Sequence, residues 1–186
     1  MAKFRYKYRI ESTRLTGYDY AQNGAYFITI CAKNHDCIFG EITVVETGLR
    51  PVSTIKMEQN AISDLQDKKN PKMILSDAGK IVSDCWFDLP NHYNNMILDE
   101  FIVMPDHIHG IIRILNIPGQ KERHGLSEFI RAFKSFSSRR VNEIHKNKYD
   151  GIWQSRFYDR VIWSETELNR IRLYIKNNVI NWSDDC

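Results

Sequence analysis

Residues 101–115 read FIVMPDHIHGIIRIL, and this apolar stretch contains two histidines that are separated by a single isoleucine. In a β-strand the side chains of residues two apart point to the same face. One face of a strand beginning at residue 107 is therefore suited to a core and consists of Ile108, Gly110, Ile112 and Ile114. The opposite face carries His107, His109, Ile111 and Arg113. Two adjacent imidazoles can bind a metal ion, but they can equally be polar residues with satisfied hydrogen bonds, so both interpretations stand at this point.

The composition is that of an ordinary globular protein. The chain has 186 residues, of which 42% are hydrophobic and 26% are charged, which predicts a single domain over residues 1–186. No apolar stretch is long enough to span a bilayer, and the first residues, MAKFRYKYRIESTR, lack the apolar core of a signal peptide. The four cysteines form no C-x-x-C pair or zinc-finger spacing and are predicted to be reduced thiols. We therefore expect a cytoplasmic protein with no membrane partner.

The positive charge is concentrated in two segments, although the net charge is only +3. The four basic residues before residue 10 are Lys3, Arg5, Lys7 and Arg9. Residues 121–160 hold ten Lys or Arg against five acids. Aromatic residues are interleaved with both segments. Basic residues bind phosphates and aromatic rings stack on bases, so the pattern favours a nucleic-acid partner, although a solvated surface would give similar counts.

Hydrophobic periodicity predicts the order of the secondary structure elements. Strands are expected at 25–32, 96–104, 107–115 and 156–163, a ribbon at 37–48, and helices at 76–88, 125–145 and 164–182. Ser164 and Glu167 form a capping box at the start of the last helix. This order predicts an α+β fold with a ferredoxin-like or RRM-like antiparallel sheet and helices packed on it. Residues 50–75 change to a polar, weakly helical composition and are interpreted as an insertion.

The last helix carries two further polar residues on one face. Tyr174 and Asn178 are four residues apart, so one lies a helical turn beyond the other, beside the apolar stripe. Taken alone, Tyr174 is adequately explained as a half-buried residue that anchors the helix.

In combination, three segments resemble a known family. They are GYDYAQNGAYFITICAKNHDCIFGEI, LDEFIVMPDHIHGII and GIWQSRFYDRVIWSETELNRIRLYIKNNVINW, in this order along the chain. They resemble the HUH-type single-tyrosine transposases, which are IS200-like, and within them are most similar to the REP-associated tyrosine transposases. The resemblance extends from about residue 12 to residue 182.

The resemblance implies a role for each of the polar residues described above. His107 and His109 match the two histidines of the family's metal motif, Asn178 matches the third metal ligand, and Tyr174 matches the nucleophile. The implied cofactor is Mg²⁺ or Mn²⁺, and the implied reaction is cleavage and rejoining of single-stranded or hairpin DNA through a phosphotyrosine, by a monomer or a homodimer. Two positions depart from the family pattern, because Asp106 stands where Asn is frequent and Val179 where Pro is frequent.

Cationic side chains are expected to assist this chemistry. A tyrosine hydroxyl is a weak nucleophile at neutral pH, so the metal and nearby cations would have to activate it, and the candidates are Lys176, Arg172 and Arg156. The residues predicted to contact DNA phosphates are Arg131, Lys134, Arg139, Arg140, Arg156, Arg5 and Arg9.

Two other functions are compatible with the sequence. An RRM-like sheet could bind single-stranded nucleic acid without cutting it, and its binding would not depend on metal or on Tyr174. A phosphodiesterase could use water as nucleophile, with Asp106 as the obvious local base.

Overall fold

We describe the protein from a computed structural model, which defines residues 3–4, 7–8, 14–45, 70–119, 123–146 and 151–182. The strands are β1 (Lys3–Phe4), β2 (Lys7–Tyr8), β3 (Gly24–Cys31), β4 (Gly40–Val45), β5 (Asn70–Leu75), β6 (Met96–Val103), β7 (His107–Ile114) and β8 (Tyr158–Ile162). The α-helices are α1 (Asp77–Asp88), α2 (Leu126–Ile144) and α3 (Glu165–Lys176). None of the helices in these ranges is long and apolar enough to cross a membrane.

A four-stranded antiparallel sheet organises the fold. Its strand order is β6-β7-β3-β8, and β7 and β3 occupy the centre. Cys31 lies opposite His107, and Thr29 lies opposite His109, in the register of β3 with β7. The α+β class and the antiparallel sheet predicted from the sequence are confirmed.

The two faces of the sheet are covered differently. Helices α1 and α2 cover one face and form the larger core, in which Ile108, Ile112 and Trp86 are fully buried. Helix α3 packs on the other face, where Leu168 and Ile171 meet Ile111 and two further sheet residues, Phe27 and Ile162. The predicted division of β7 into a core face and a histidine face is therefore confirmed.

The segment between β4 and α1 differs from the expectation. Residues 70–75 form a strand that pairs antiparallel with β4, whereas we expected this stretch to belong to an insertion without a strand. The partner of β5 is about 30 residues away in sequence, so local periodicity carries no signal of the pairing. The weakly helical part of residues 50–75, from about residue 54 to residue 69, lies outside the described residues.

Helix α3 is shorter than its hydrophobic pattern predicts. It ends at Lys176 rather than continuing to residue 182, and turns follow as far as residue 181. The predicted cap at its start is present, since Ser164 Oγ accepts a hydrogen bond from the Glu167 amide at 3.2 Å.

The prediction that the cysteines are reduced thiols is partly corrected. Cys31 and Cys85 are free thiols, but Cys37 is disulfide-bonded.

Candidate active site

Strand β7 places two imidazoles next to each other on the face that α3 covers. The Nε2 atoms of His107 and His109 are 3.1 Å apart. His109 is only 5% exposed, and burial, followed by the effect of His107, lowers its pKa to about 3. His109 is therefore neutral at physiological pH and has a ring nitrogen available as a ligand.

Hydrogen bonds at the Nδ1 atoms orient both rings. His107 Nδ1 donates to Asp106 Oδ1 at 2.5 Å, and His109 Nδ1 lies 2.8 Å from the hydroxyl of Thr29. With both Nδ1 atoms occupied, the two Nε2 atoms are the ones left to share a ligand.

This arrangement fits a bound divalent metal. Two adjacent ligands about 2.1 Å from an octahedral ion lie roughly 3.0 Å apart, which is close to the separation of the two Nε2 atoms. Among the described residues, no third His, Cys, Asp or Glu completes a metal-binding group with them. A further ligand from these residues would be of another type. Asn178, the predicted third ligand, is 8% exposed and lies two residues beyond the end of α3.

Tyr174 completes the cluster from α3. Its hydroxyl is 3.3 Å from His109 Nε2, and its ring meets Phe27 edge-on at a centroid distance of 6.0 Å. The side chain is 49% exposed, so the hydroxyl is accessible to a large substrate. The structure thus brings Tyr174 to the two histidines, which lie about 65 residues earlier in the sequence and with which it was predicted to act.

Two of the cations proposed to activate Tyr174 are paired with strand β6. Arg172 donates to both carboxylate oxygens of Asp99, at 2.7 and 2.6 Å. Lys176 lies 2.8 Å from the carboxylate of Glu100. These contacts make Arg172 and Lys176 parts of the attachment of α3 to the sheet.

A β-bulge explains how two consecutive acids reach the same helix. The pairing of β6 with β7 shifts between Leu98 and Phe101, so Asp99 and Glu100 are not constrained to opposite faces. Their partners are one helical turn apart on α3, on either side of Tyr174 in sequence. The bulge therefore helps to fix the position of the tyrosine.

The ion pair of Asp99 predicts a pH-dependent stability difference. Hydrogen bonds from Arg172 hold the pKa of Asp99 below its ordinary value of 3.8. The contribution of this ion pair to the free energy of unfolding is therefore complete above pH 3.8, and it is lost as the pH falls through the lower pKa of the folded state. Asp99→Asn should cost about 1 kcal/mol at neutral pH. Urea unfolding from pH 7 to pH 3 should show wild type and Asp99→Asn converging below about pH 4. The exposed control Asp36→Asn should show no such convergence, and a constant Asp99→Asn difference would contradict the prediction.

Comparison with known proteins assigns the chain to a family. The family model described as "Transposase IS200 like" matches residues 72–178, which is more than half of the chain and includes the two histidines, Tyr174 and Asn178. The chain is an IS200-like transposase family member. An uncharacterized protein of Haemophilus influenzae strain Rd is 32% identical over 189 residues, covering 94% of this chain and 90% of that protein.

A solved structure shares the fold. A REP-associated tyrosine transposase bound to a REP hairpin superimposes with a TM-score of 0.51 at 16% identity, covering 97% of this chain and 74% of that chain. At 16% identity, this likeness shows only that the IS200-like transposase and the solved protein share a fold.

The predicted DNA-binding residues of α2 lie on the opposite side of the sheet from the histidines. Arg131 and Lys134 line a cavity of about 400 Å³ between α2 and residues 151–157. The Lys134 ammonium donates to the carbonyls of Gln154 and Arg156 at 2.8 and 2.9 Å, and burial lowers the pKa of Lys134 to about 8. These bonds give Lys134 a structural role in holding the chain before β8. Contact of either residue with DNA stays a prediction.

Two of the other predicted DNA contacts, Arg139 and Arg140, do not line the cavity of Arg131. Arg140 faces α1, where it donates to Cys85 Sγ at 3.6 Å, and Arg139 stacks on Phe136 at 4.9 Å. Arg156 is exposed in the segment before β8. Arg5 and Arg9 lie outside the described residues.

Sequence reasoning missed the residues that surround the histidines. Thr29 is identified only by the register of β3 with β7, because it lies about 80 residues from His109 in sequence. Trp182, whose ring centroid is 5.6 Å from that of His107, was predicted only as the last residue of the final helix. His35, which contacts Asp106, had no sequence signal at all.

Proposed function

We propose that this IS200-like transposase family member cleaves and rejoins single-stranded DNA through a covalent bond between Tyr174 and a 5′-phosphate. The observation that carries the proposal is the position of the Tyr174 hydroxyl, 3.3 Å from an imidazole that itself lies 3.1 Å from a second imidazole. A nucleophile is thereby held beside a pair of metal ligands, and it is accessible from solvent. The alternative of a non-catalytic binding module gives no reason for this proximity.

In the proposed reaction, Tyr174 replaces the leaving alcohol at phosphorus. The bond from the tyrosine oxygen to phosphorus forms, the bond from phosphorus to the 3′-oxygen breaks, and the tyrosine proton is lost as the 3′-hydroxyl takes one up. The phosphodiester is conserved as a phosphotyrosine, so the free 3′-hydroxyl, or another one, can reverse the step. Covalent conservation of this bond suits strand transfer better than degradation.

His107 and His109 would hold a divalent metal in this site, with the Asn178 amide as a third ligand. The metal would withdraw charge from the scissile phosphate and favour attack by an oxygen nucleophile. We propose Mg²⁺ or Mn²⁺ as the cofactor. Imidazole ligands by themselves favour manganese, nickel or zinc over magnesium, so manganese is the better first choice for experiments.

Hairpin or palindromic DNA is the proposed substrate. A transposase that shares this fold was solved with a REP hairpin. A hairpin with single-stranded flanks offers the extended, unpaired strand that the exposed Tyr174 requires. Exposed basic residues such as Arg131 and Arg156 would contact the phosphates of the paired region.

A covalent trapping assay tests the proposal. A library of hairpin oligonucleotides with randomised single-stranded flanks, labelled at the 5′ or the 3′ end, would be incubated with the full chain and Mn²⁺ and separated on a denaturing gel. We expect a denaturant-stable protein adduct that retains the 3′ label only and disappears with chelator. Cleavage without an adduct would indicate water as nucleophile. Metal-independent binding without cleavage would instead support a binding module.

A further inference from the structure

Asp106 is a buried carboxylate whose two oxygens are both occupied by histidines. It is 7% exposed and lies in the turn between β6 and β7, directly before His107. Its Oδ1 accepts from His107 Nδ1 at 2.5 Å, and its Oδ2 accepts from His35 Nδ1 at 2.7 Å. A buried charge of this kind is costly unless it is paired and hydrogen-bonded, so these two contacts are what permit it.

The backbone around Asp106 is fixed as tightly as its side chain. The Asp106 carbonyl accepts from the Ala32 amide at 2.6 Å, and the neighbouring Pro105 carbonyl accepts from Phe39 at 3.0 Å. These bonds attach the turn to both ends of the loop that carries His35. These backbone bonds fix the position of Asp106 relative to His35, and the carboxylate cannot turn away from His107 without breaking its hydrogen bond to His35.

His35 itself lies in an unusual backbone conformation. Asn34 and His35 have φ values of 58° and 60°, which is the left-handed region. Non-glycine residues in this region carry strain, and they persist only where the surrounding structure fixes them. Here the strained turn directs the His35 ring onto Asp106, while the side chain remains exposed on its other side. The turn thus supplies the second hydrogen bond that holds the carboxylate.

A carboxylate partner determines which nitrogen of His107 is protonated. An ionised carboxylate only accepts hydrogen bonds, so the proton of neutral His107 is on Nδ1 and the lone pair is on Nε2. This lone pair belongs to the atom that faces His109. The hydroxyl of Thr29 at His109 can either donate or accept, so it orients that ring without fixing its tautomer. A charged partner therefore sets the tautomer of His107 but not that of His109.

We propose that Asp106, held in place by His35, is a positioning residue that fixes the tautomer and the orientation of His107 as a metal ligand. The role of His107 as a metal ligand rests on the proposed function, whereas the tautomer and orientation of its ring are properties of the protein without metal. Carboxylates that accept from a ligating histidine fix the ring and raise its basicity, and their loss costs about 10–100-fold in metal affinity. The negative charge that departs from the family pattern at this position would then strengthen the metal site.

Three variants separate the contributions of charge and geometry. Asp106→Asn keeps an acceptor for His107 without the charge, and we expect about tenfold weaker Mn²⁺ binding. Asp106→Ala removes the acceptor and should weaken binding by up to about 100-fold. His35→Ala leaves Asp106 in place but frees one carboxylate oxygen, and the loss should be smaller than that of Asp106→Asn. Asp36→Asn, an exposed position on the same loop, removes the same charge and should bind Mn²⁺ like wild type.

Two measurements on the full chain without DNA test the inference. The first is the Mn²⁺ dissociation constant from titration calorimetry or from the free-ion electron paramagnetic resonance signal. The second is the tautomer of His107 in the metal-free protein, from two-bond ¹H–¹⁵N correlation spectra, assigned with His107→Gln. Circular dichroism would establish whether each variant is folded. If the Asp106 variants do not fold, the comparison of wild type with His35→Ala still tests the inference.

The outcomes are distinct. Two results together would support the inference. His107 would carry its proton on Nδ1 in wild type and show a mixture of tautomers in Asp106→Ala, and the Mn²⁺ affinities of the variants would follow the expected order. A proton on Nε2 in wild type, or unchanged affinity in Asp106→Ala, would overturn it. Failure of the proposed function appears separately, as normal Mn²⁺ binding and a fixed tautomer in a protein that forms no DNA adduct.

Discussion

Tyr174→Phe is expected to abolish the covalent DNA adduct and to reduce cleavage by at least about 10³-fold, because it removes the nucleophilic oxygen. The substitution deletes one atom from a side chain that is 49% exposed and whose hydroxyl contacts His109 at 3.3 Å. Stability should therefore change by less than about 0.5 kcal/mol. Gel-based cleavage rates, measured with Mn²⁺ on the hairpin selected from the library, provide the comparison with wild type.

Tyr158→Phe is the matched control. Tyr158 lies on the same face of the sheet, opposite Thr29 in the register of β8 with β3, and it is also exposed. Its ring contacts Phe27 from the other side, at a centroid distance of 6.3 Å. We expect the adduct to form normally in this variant. An adduct that persists in Tyr174→Phe and is lost in Tyr158→Phe would transfer the nucleophilic role to Tyr158.

Gly110→Ala is expected to destabilise the fold by about 1–3 kcal/mol, since overpacked cores typically lose this much. Gly110 directly follows His109 on β7, on the opposite face of the strand, where it meets Trp86 of α1. A Cβ there would be 2.5 Å from Cζ2 of Trp86 and 2.8 Å from Cη2. Trp86 is fully buried and stacks on Phe101 at 4.7 Å, so it has little room to retreat. The central strand must shift, and His107 and His109 must shift with it.

Urea denaturation followed by tryptophan fluorescence measures this loss. Gly24→Ala is the control, because a Cβ at the start of β3 would make only ordinary contact with Tyr26, at 3.4 Å. The control should stay within about 0.5 kcal/mol of wild type. We also expect weaker Mn²⁺ binding in Gly110→Ala. An unfolding midpoint equal to that of wild type would mean that Trp86 can move aside and that the packing over β7 is loose.

Helix α3 covers only part of the sheet face that carries the histidines, so a buried histidine and an exposed tyrosine can lie side by side there. His109 is buried deeply enough to remain neutral, whereas Tyr174 on the same face is exposed enough to meet a DNA strand. Helix α3 achieves this by packing Leu168 and Ile171 on the sheet and leaving Tyr174 beside the histidines at its final turn. The ion pairs of α3 with the bulge in β6 hold this arrangement.

The sequence by itself determined which side chains share a face within each element. The alternation along β7 separates His107 and His109 from the isoleucines of the core, and the spacing of Leu168, Ile171 and Ile175 defines the buried side of α3. The caps at Ser76 and Ser164 were also predictable, because a serine hydroxyl and an amide three residues later interact locally. All of these features depend on dihedral angles and neighbours within a few residues.

Only the tertiary structure decided which elements meet. The pairing of β5 with β4, the contact of Thr29 with His109 and the contact of His35 with Asp106 each join segments separated by about 30 to 80 residues. The position of Arg140 against α1 likewise depends on how two helices pack. Periodicity reports which face of an element is apolar, but the partner of that face depends on the sheet register and on helix docking. These are set by the summed burial of many distant side chains, which is why the tyrosine, the histidines and their supporting carboxylate come together only in the folded chain.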